Sequence, residues 1–420
     1  MTLANETYRP AFPPSTHDPT KPNPHISYGV SFPAALAHHA AHTYHAKRIY
    51  VLLSSSLSRN TDTLGRIENA LRDEGVEVAG VRRGMQPHTL FSELLEVVRD
   101  IKDKGAVDLL VTVGAGSLTD AGKIITLALA NNAPQTPSSL LALSETTTKN
   151  PSSLSPPTIP QISIPTSLSG GEYSPFGGGT SDTTHQKHMF STPAHGPSLV
   201  ILSPELTITT PASVFLSTGI RAVDHCIETV CSLSSNDAAD ADAAAGLRAL
   251  VPGLLKCKSQ PDDLEARLAC QMGVIEAMKS VSAGVPLGAS HGIGHQLGPL
   301  GIGHGETSCI LLPAVCRYNA RVNAARQEKV VHVLLGLDDV AALLREDGKT
   351  ETGQDLAGIL DSLIRTLGLP RSLKDKGVEL TREEELDQLA ANCLRDRMCA
   401  TNPVPLVEKS QVREILAEIV

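Results

Sequence analysis

The sequence predicts an α/β amino-terminal half joined to an all-helical carboxyl-terminal half, and three observations carry that assignment. Between about Lys47 and Ser203, short β-rich runs alternate with helical stretches, the pattern of a parallel sheet covered by helices on both faces. Beyond Pro204 strand-like runs stop, and the long segments carry helical periodicity. At 420 residues the chain exceeds what one core fills, so two domains are expected, 1–203 and 204–420.

The first 25 residues read as a loose, proline-rich leader, without the basic-then-apolar order of a secretory signal. Arg48–Ser54 is the first strand, Thr61–Glu74 a helix, Val76–Val81 the second strand, Phe91–Lys104 a helix and Leu109–Val113 a buried strand. That is a βαβαβ unit. A helix over Asp120–Ala130 precedes residues 131–160, whose Ser, Thr and Pro content reads as a poorly ordered surface insertion. Ile162–Pro165 and Leu199–Ser203 are the remaining strands. The second half reads as helices at Ala212–Leu233, Asp237–Leu255, Asp262–Ser282, Ser308–Leu335, Asp355–Leu367 and Arg382–Cys399.

Composition excludes several classes. Hydrophobic residues at 41% and charged residues at 19% suit a soluble enzyme core, and no apolar run approaches the roughly 18 residues that span a bilayer. A net charge of −9, aromatics at 3% and no tryptophan leave neither a phosphate-neutralising stripe nor a stacking platform, so no nucleic-acid partner is expected. The eight cysteines contain no CxxC pair and read as reduced, buried thiols of a cytoplasmic protein.

The densest chemistry lies in Gly288-Ala-Ser-His291-Gly-Ile-Gly-His295, which runs on to His304-Gly-Glu306 and so holds three of the fifteen histidines. His291 and His295 are i and i+4, so on a helix both imidazoles leave one face. With His225 upstream they form a candidate catalytic or metal-binding set, in a segment otherwise apolar and rich in small residues.

A second signal is Val113-Gly114-Ala-Gly116-Ser117-Leu-Thr-Asp120, which follows a buried strand and opens a helix. Glycines admit close backbone approach to an anion, and the helix start favours negative charge. With the polar turn Thr166-Ser167-Leu-Ser169 at the end of the next strand, it predicts a grip on one dinucleotide, as in Rossmann-like folds. The first strand ends in Ser54-Ser55-Ser56 rather than in an acid that would bond a ribose 2′-hydroxyl, so NADH and NADPH both remain open.

Taken in order, these motifs resemble the iron-containing, or group III, alcohol dehydrogenases, and most closely the maleylacetate reductase branch. Dehydroquinate synthase and glycerol dehydrogenase are more distant kin. The resemblance rests on Gly114-Ala-Gly-Ser117 with Asp120, Ile164-Pro-Thr-Ser leading to Glu172, Ser203-Pro-Glu-Leu-Thr207, and Ser217-Thr-Gly-Ile-Arg221-Ala-Val-Asp-His225-Cys-Ile-Glu228. It continues through the His291, His295 and His304 segment to Thr401-Asn402-Pro403. It implies a homodimer with a small-molecule substrate and a nucleotide held by Ser54, Gly114, Gly116, Ser117, Asp120, Thr166, Ser167, Ser169 and Leu206. Glu172, Asp182, His185, Lys187 and His188 fall in a loop region.

In metal-dependent members an aspartate and a histidine four apart join two later histidines around Fe²⁺ or Zn²⁺. Matched here, the histidines are His225, His291 and His304, but the aspartate position holds Arg221. A guanidinium offers only donors and stays charged. At 4 Å and an effective dielectric near 20 it repels a unit positive charge by about 4 kcal/mol, so weak or absent metal binding is expected. Asp224 points about 100° away from His225 on the helix and is not an obvious substitute.

The expected chemistry is hydride transfer from NADH or NADPH to a carbonyl or activated alkene of a small, acidic metabolite. Arg221 either stabilises the developing oxyanion or clamps a substrate carboxylate bidentately, His225 shares that face, and His295 or His291 supplies the proton. A non-redox dehydration using Arg221 and the histidines is the alternative.

Overall fold

The computed structural model describes residues 2–13, 23–86, 89–132, 134–145, 147–148, 153–191, 196–350 and 353–420. The chain divides into two compact units, Met1–Thr209 and Thr210–Val420.

Unit 1 contains, in order, β1 (Thr7–Pro10), β2 (His25–Tyr28), α1 (Phe32–His38), β3 (Arg48–Leu53), α2 (Ser55–Asn60), α3 (Thr63–Asp73), β4 (Glu77–Arg83), α4 (Phe91–Lys104) and β5 (Leu109–Gly114). It continues with α5 (Gly116–Ala130), α6 (Pro137–Leu141), β6 (Gln161–Pro165), β7 (Phe176–Thr180), β8 (Lys187–Ser191), β9 (Leu199–Ile201) and α7 (Pro204–Thr207). Seven strands form one sheet in the order β1-β2-β9-β6-β5-β3-β4, parallel except where β1 runs against β2. The five predicted strands are the contiguous run β9-β6-β5-β3-β4, with β4 at one edge. Alternation along β3 explains the layering: Ile49, Val51 and Leu53 enter a core with Phe32, Ile67 and Leu71, whereas Tyr50 and Leu52 enter an opposite core with Phe91, Leu94 and Ile124.

Two expectations are corrected by the fold. The described part of the leader is not loose, because residues 7–10 form an edge strand. Glu6 accepts from Ser27 Oγ at 2.5 Å and lies 2.7 Å from His39 Nε2, and Tyr8 stacks on the rings of His25 and His39. Residues 14–22 lie outside the described residues. The described part of the 131–160 insertion is also more ordered than its composition suggests, and residues 133, 146 and 149–152 lie outside the described residues. Thr136 and Ser139 form a capping box at the start of α6, and Leu140 is fully buried in the second core.

Unit 2 comprises α8 (Ala212–Cys231), α9 (Asp237–Ser259), α10 (Leu264–Ser282), α11 (Ala289–Leu297), α12 (His304–Leu335), α13 (Asp338–Glu346) and α14 (Leu356–Leu367). It ends with α15 (Glu383–Cys393), α16 (Arg397–Ala400) and α17 (Lys409–Leu416). Among the described residues it has no strand, as expected, and no helix of the described residues is long and apolar enough to cross a membrane. Two contacts place α8 and α12 for the site. A Cβ on Gly305 would come within 2.6 Å of the Ser217 carbonyl carbon, so the glycine lets the start of α12 lie directly on α8. Further along, α12 kinks at Asn323, whose Nδ2 donates to the Cys231 carbonyl while Arg326 Nε donates to that of Val230. Those two bonds satisfy carbonyls left open at the end of α8.

Candidate active site

In unit 1, three turns at the carboxyl ends of β3, β5 and β6 come together. Gly114 has φ +152°, and a Cβ there would lie 2.4 Å from Leu118 Cδ1 and 2.9 Å from Ser54 Cβ. A Cβ on Gly116 would lie 2.5 Å from Ser169 Oγ. The Thr166 amide donates to the Gly114 carbonyl, and the Ser54 amide to that of Val113. Ala115, which precedes α5, offers no side-chain cap, so the first amides of that helix face whatever lies in the turn. Ser54, Gly114, Gly116, Ser117, Thr166, Ser167 and Ser169 thus belong to one cluster of turns. Leu206 is buried in α7.

Asp120 has other duties. It pairs with Lys123 at 3.0 Å and accepts from the Gly178 amide, and Lys123, itself buried, donates to the carbonyls of Gly171, Ser174 and Phe176. Together they clamp β7 onto α5. Glu172 is buried rather than solvated and accepts from Thr119 Oγ1, and burial pushes its carboxyl above the usual range. Lys187 and His188 lie in a β7–β8 hairpin, not a loop, His185 in the turn between its strands, and Asp182 there accepts from the amide and hydroxyl of Ser92.

In unit 2 the ionisable cluster grows from one face of α8. Arg221, Asp224, His225 and Glu228 recur at three- and four-residue steps within an arc of about 100°, and all are buried. The amino end of α11 meets them. Gly288 and Ser290 amides donate to the Glu228 carboxylate, each at 2.9 Å, and the Ala289 amide donates to Asn402 Oδ1. Glu228 is therefore a capping carboxylate for α11, where the helix dipole favours negative charge.

Both Glu228 oxygens already receive amide hydrogens. His291 Nδ1, 2.7 Å from Oε2, is accordingly assigned as a donor, which leaves Nε2 bare. Asp224 Oδ2 accepts from Ser290 Oγ at 2.7 Å and Ser308 Oγ at 2.6 Å, and Arg221 donates to Ser308 Oγ at 3.3 Å. Among the described residues, Arg221 makes no ion pair within 4.0 Å; Ser308 bridges it to Asp224.

Burial dominates the electrostatics. It pushes the Asp224 carboxyl up to about 8 and that of Glu228 to about 7, with Arg221 opposing both shifts. It drives His225 and His291 well below their ordinary range, and neighbouring positive groups add to that, so both imidazoles are neutral at working pH. Three buried atoms of this cluster lack a hydrogen-bond partner among the described residues: Asp224 Oδ1, His225 Nδ1 and His291 Nε2.

The predicted histidines separate into two pairs. The rings of His225 and His291 lie 4.6 Å apart, and those of His295 and His304 stack at 5.9 Å. His295 is partly exposed, and its Nδ1 bonds Asp396 Oδ2 at 2.8 Å. Asp224, Asp396, Ser290, Ser308 and Asn402 were missed as site residues from sequence. His291, from another helix, lies against both Asp224 and His225, although the two diverge by about 100° around α8.

The metal set implied by the resemblance does not fit. Arg221 offers only donors, and His304 stacks on His295. Among the described residues, the ligand atoms that lie within 4.8 Å of one another belong to Asp224, Glu228 and His291, not to His225, His291 and His304.

Comparison with known proteins follows the same division of the chain. A family profile described as "Iron-containing alcohol dehydrogenase" matches residues 25–204, and one described as "Fe-containing alcohol dehydrogenase family, C-terminal" matches residues 215–420. The chain is 37% identical to the dehydrogenase FUM7 of Gibberella moniliformis, over 94% of this chain and 95% of that one. It is 36% identical to the dehydrogenase ALT3 of Alternaria alternata, over 88% and 98%. The crystal structure of maleylacetate reductase from a Rhizobium strain superposes with a TM-score of 0.70 at 25% identity, covering 94% of this chain and 95% of that one.

Proposed function

The chain belongs to the iron-containing alcohol dehydrogenase family and is an oxidoreductase, and within that family we propose an NAD(P)H-dependent reductase that works without a metal ion. Its substrate is a small acidic metabolite with a ketone or an activated alkene. The observation that carries this reading is the buried Arg221 guanidinium at the position where the resemblance calls for a ligand carboxylate. Similarity to maleylacetate reductase supports the substrate class. The eight cysteines, all buried and free, support a cytoplasmic location.

The turns at Ser54, Gly114–Ser117 and Thr166–Ser169 of unit 1 would hold the nucleotide, which when bound would supply a hydride with its electron pair to an electrophilic carbon of the substrate. Negative charge then develops on a carbonyl or carboxyl oxygen of that substrate. Arg221 stabilises that oxygen through a charge-assisted hydrogen bond in a site of low dielectric. A proton then completes the reduction. Of the two imidazoles open from sequence, His295 suits the proton step better, since it is partly exposed and oriented by Asp396, whereas His291 is buried and tied to Glu228.

The test is consumption of NADH and NADPH by metal-free protein with a panel of unsaturated acids, keto acids and aldehydes. Turnover that persists after chelation supports the reading. Activity strictly dependent on added Fe²⁺ or Zn²⁺ overturns metal independence, and nucleotide binding without oxidation across the panel favours the non-redox alternative.

A further inference from the structure

We infer that Cys257 and Cys270 are a thiol pair that a hydroperoxide converts reversibly into a disulfide, with Cys257 as the attacking sulfur. Cys257 lies in the last turns of α9 and Cys270 in α10, and the short connection between the two helices brings them side by side. Gly253 and Cys257, four residues apart, share one face of α9. A Cβ on Gly253 would lie 2.7 Å from Cys270 Sγ and 3.3 Å from the Ala266 carbonyl oxygen, so the glycine lets α10 lie directly on that face. There the Cys270 thiol donates a hydrogen bond to the Cys257 sulfur. Residues 258–262 are exposed, which places Cys257 just beneath a surface turn.

The reactive form of cysteine is the thiolate. The hydrogen bond from Cys270 holds the Cys257 thiol below its ordinary range, and the Arg267 guanidinium adds to that while burial opposes it. The other seven cysteines all lie above that range, Cys270 because it donates to Cys257 and the rest because they are buried. Arg267 is fixed beside the pair: its Nε donates to the Pro261 carbonyl at 2.6 Å, and its guanidinium carbon lies 4.5 Å from the centre of the Phe215 ring. In the first step the Cys257 thiolate attacks one oxygen of the hydroperoxide. An S–O bond forms and the O–O bond breaks, and the other oxygen leaves as an alcohol, or as water, with the proton that Cys257 gave up. Cys257 is then a sulfenic acid. In the second step the Cys270 sulfur bonds to that sulfur, its proton passes to the departing hydroxyl, and water leaves. Two thiols are oxidised and one hydroperoxide is reduced. In a reducing compartment such a bond is transient and reports oxidant.

The test treats full-length wild type with a small excess of hydrogen peroxide, counts thiols after denaturation and maps peptides without reductant. The eight free thiols are expected to fall by two, with the peptide carrying Cys257 joined to the one carrying Cys270, and dithiothreitol is expected to restore both. Cys270→Ala is expected to lose one thiol and to leave Cys257 as a sulfenic acid that dimedone traps, and Cys257→Ala is expected to lose none. Circular dichroism establishes folding, and serine variants serve where an alanine variant does not fold. Retention of all eight thiols by wild type, a bond between other cysteines, or an unchanged loss of two thiols in Cys257→Ala overturns the proposal. No step of the test requires nucleotide or substrate, so its failure and that of the reductase reading are distinguishable.

Discussion

At the residue scale, the proposed reaction gives Arg221 and the His295–Asp396 pair different parts of the chemistry, and the two are expected to fail differently. Replacing Arg221 by Lys keeps a charge but removes the planar fork. Removal of a group that stabilises an oxyanion typically lowers kcat by about 10²- to 10³-fold, or ~3–4 kcal/mol. Arg221→Lys and Arg221→Ala are both expected to fall by that order while nicotinamide fluorescence still reports nucleotide binding, since the nucleotide turns belong to the other unit. Unchanged kcat in both variants would remove Arg221 from the mechanism. In the proposed reaction Asp396 acts through His295, whose Nδ1 it meets at 2.8 Å. Although burial opposes it, the bond to His295 holds the Asp396 carboxyl below the ordinary carboxylate range, so it stays charged and keeps the ring oriented. Asp396→Asn is expected to lower kcat about 10²-fold and to move the pH optimum. An indifferent pH–rate profile would reduce Asp396 to packing.

At the element scale, the amino end of α11 explains why a late motif, Thr401-Asn402-Pro403, sits beside the site. Asn402 Oδ1 accepts from the Ala289 amide and from Asn319, and its Nδ2 donates to Asn319 Oδ1 and the Val404 carbonyl. With Glu228 it satisfies the first amides of α11, which no local residue caps. Asn402→Ala leaves a buried amide and Asn319 without these partners, so a destabilisation of about 1–3 kcal/mol is expected, measured as a lower urea midpoint at constant slope. A midpoint equal to wild type would show that α11 does not depend on this cap. Gly305 sets the contact of α12 with α8. Gly305→Ala places a methyl 2.6 Å from backbone atoms of Ser217 and Thr218, so the helices must separate. The expected loss is about 1–3 kcal/mol, together with weaker activity, because Ser308 would lose its reach to Asp224.

At the scale of the whole molecule, the parts legible in the sequence were those written in local pattern. The alternating apolar residues of β3, the buried run of β5 and the glycine turn before α5 each state their structure within a few residues. Arg221, His225 and the three later histidines announced a site through residue type and spacing. Asp224, Glu228 and Ser308 were not legible as a network, because their roles depend on where α11 and α12 meet α8, which no local period encodes. The same buried network shapes stability against pH. Asp224 titrates in the folded chain near 8 rather than its ordinary 3.8, so between those values the folded state binds more protons than the unfolded one. Stability is then fully present below the unfolded value and is lost as pH rises toward the folded value. The neutral His225 and His291 act oppositely, withdrawing stability as pH falls below their ordinary 6.5. Between 3.8 and 6.5 the two effects offset each other, but from 6.5 to 8 only the carboxyl side still titrates. One proton taken up or released differently by the two states changes stability by about 1.4 kcal/mol for each step of one in pH, so Asp224 alone withdraws ~2 kcal/mol over that interval. The melting temperature of wild type is therefore expected to fall from pH 6.5 to 8 and then to level, and Asp224→Asn is expected to flatten the fall. A wild-type curve without that descent, or a variant that keeps it whole, would mean Asp224 is already ionised at neutral pH and paired with Arg221 as a full charge.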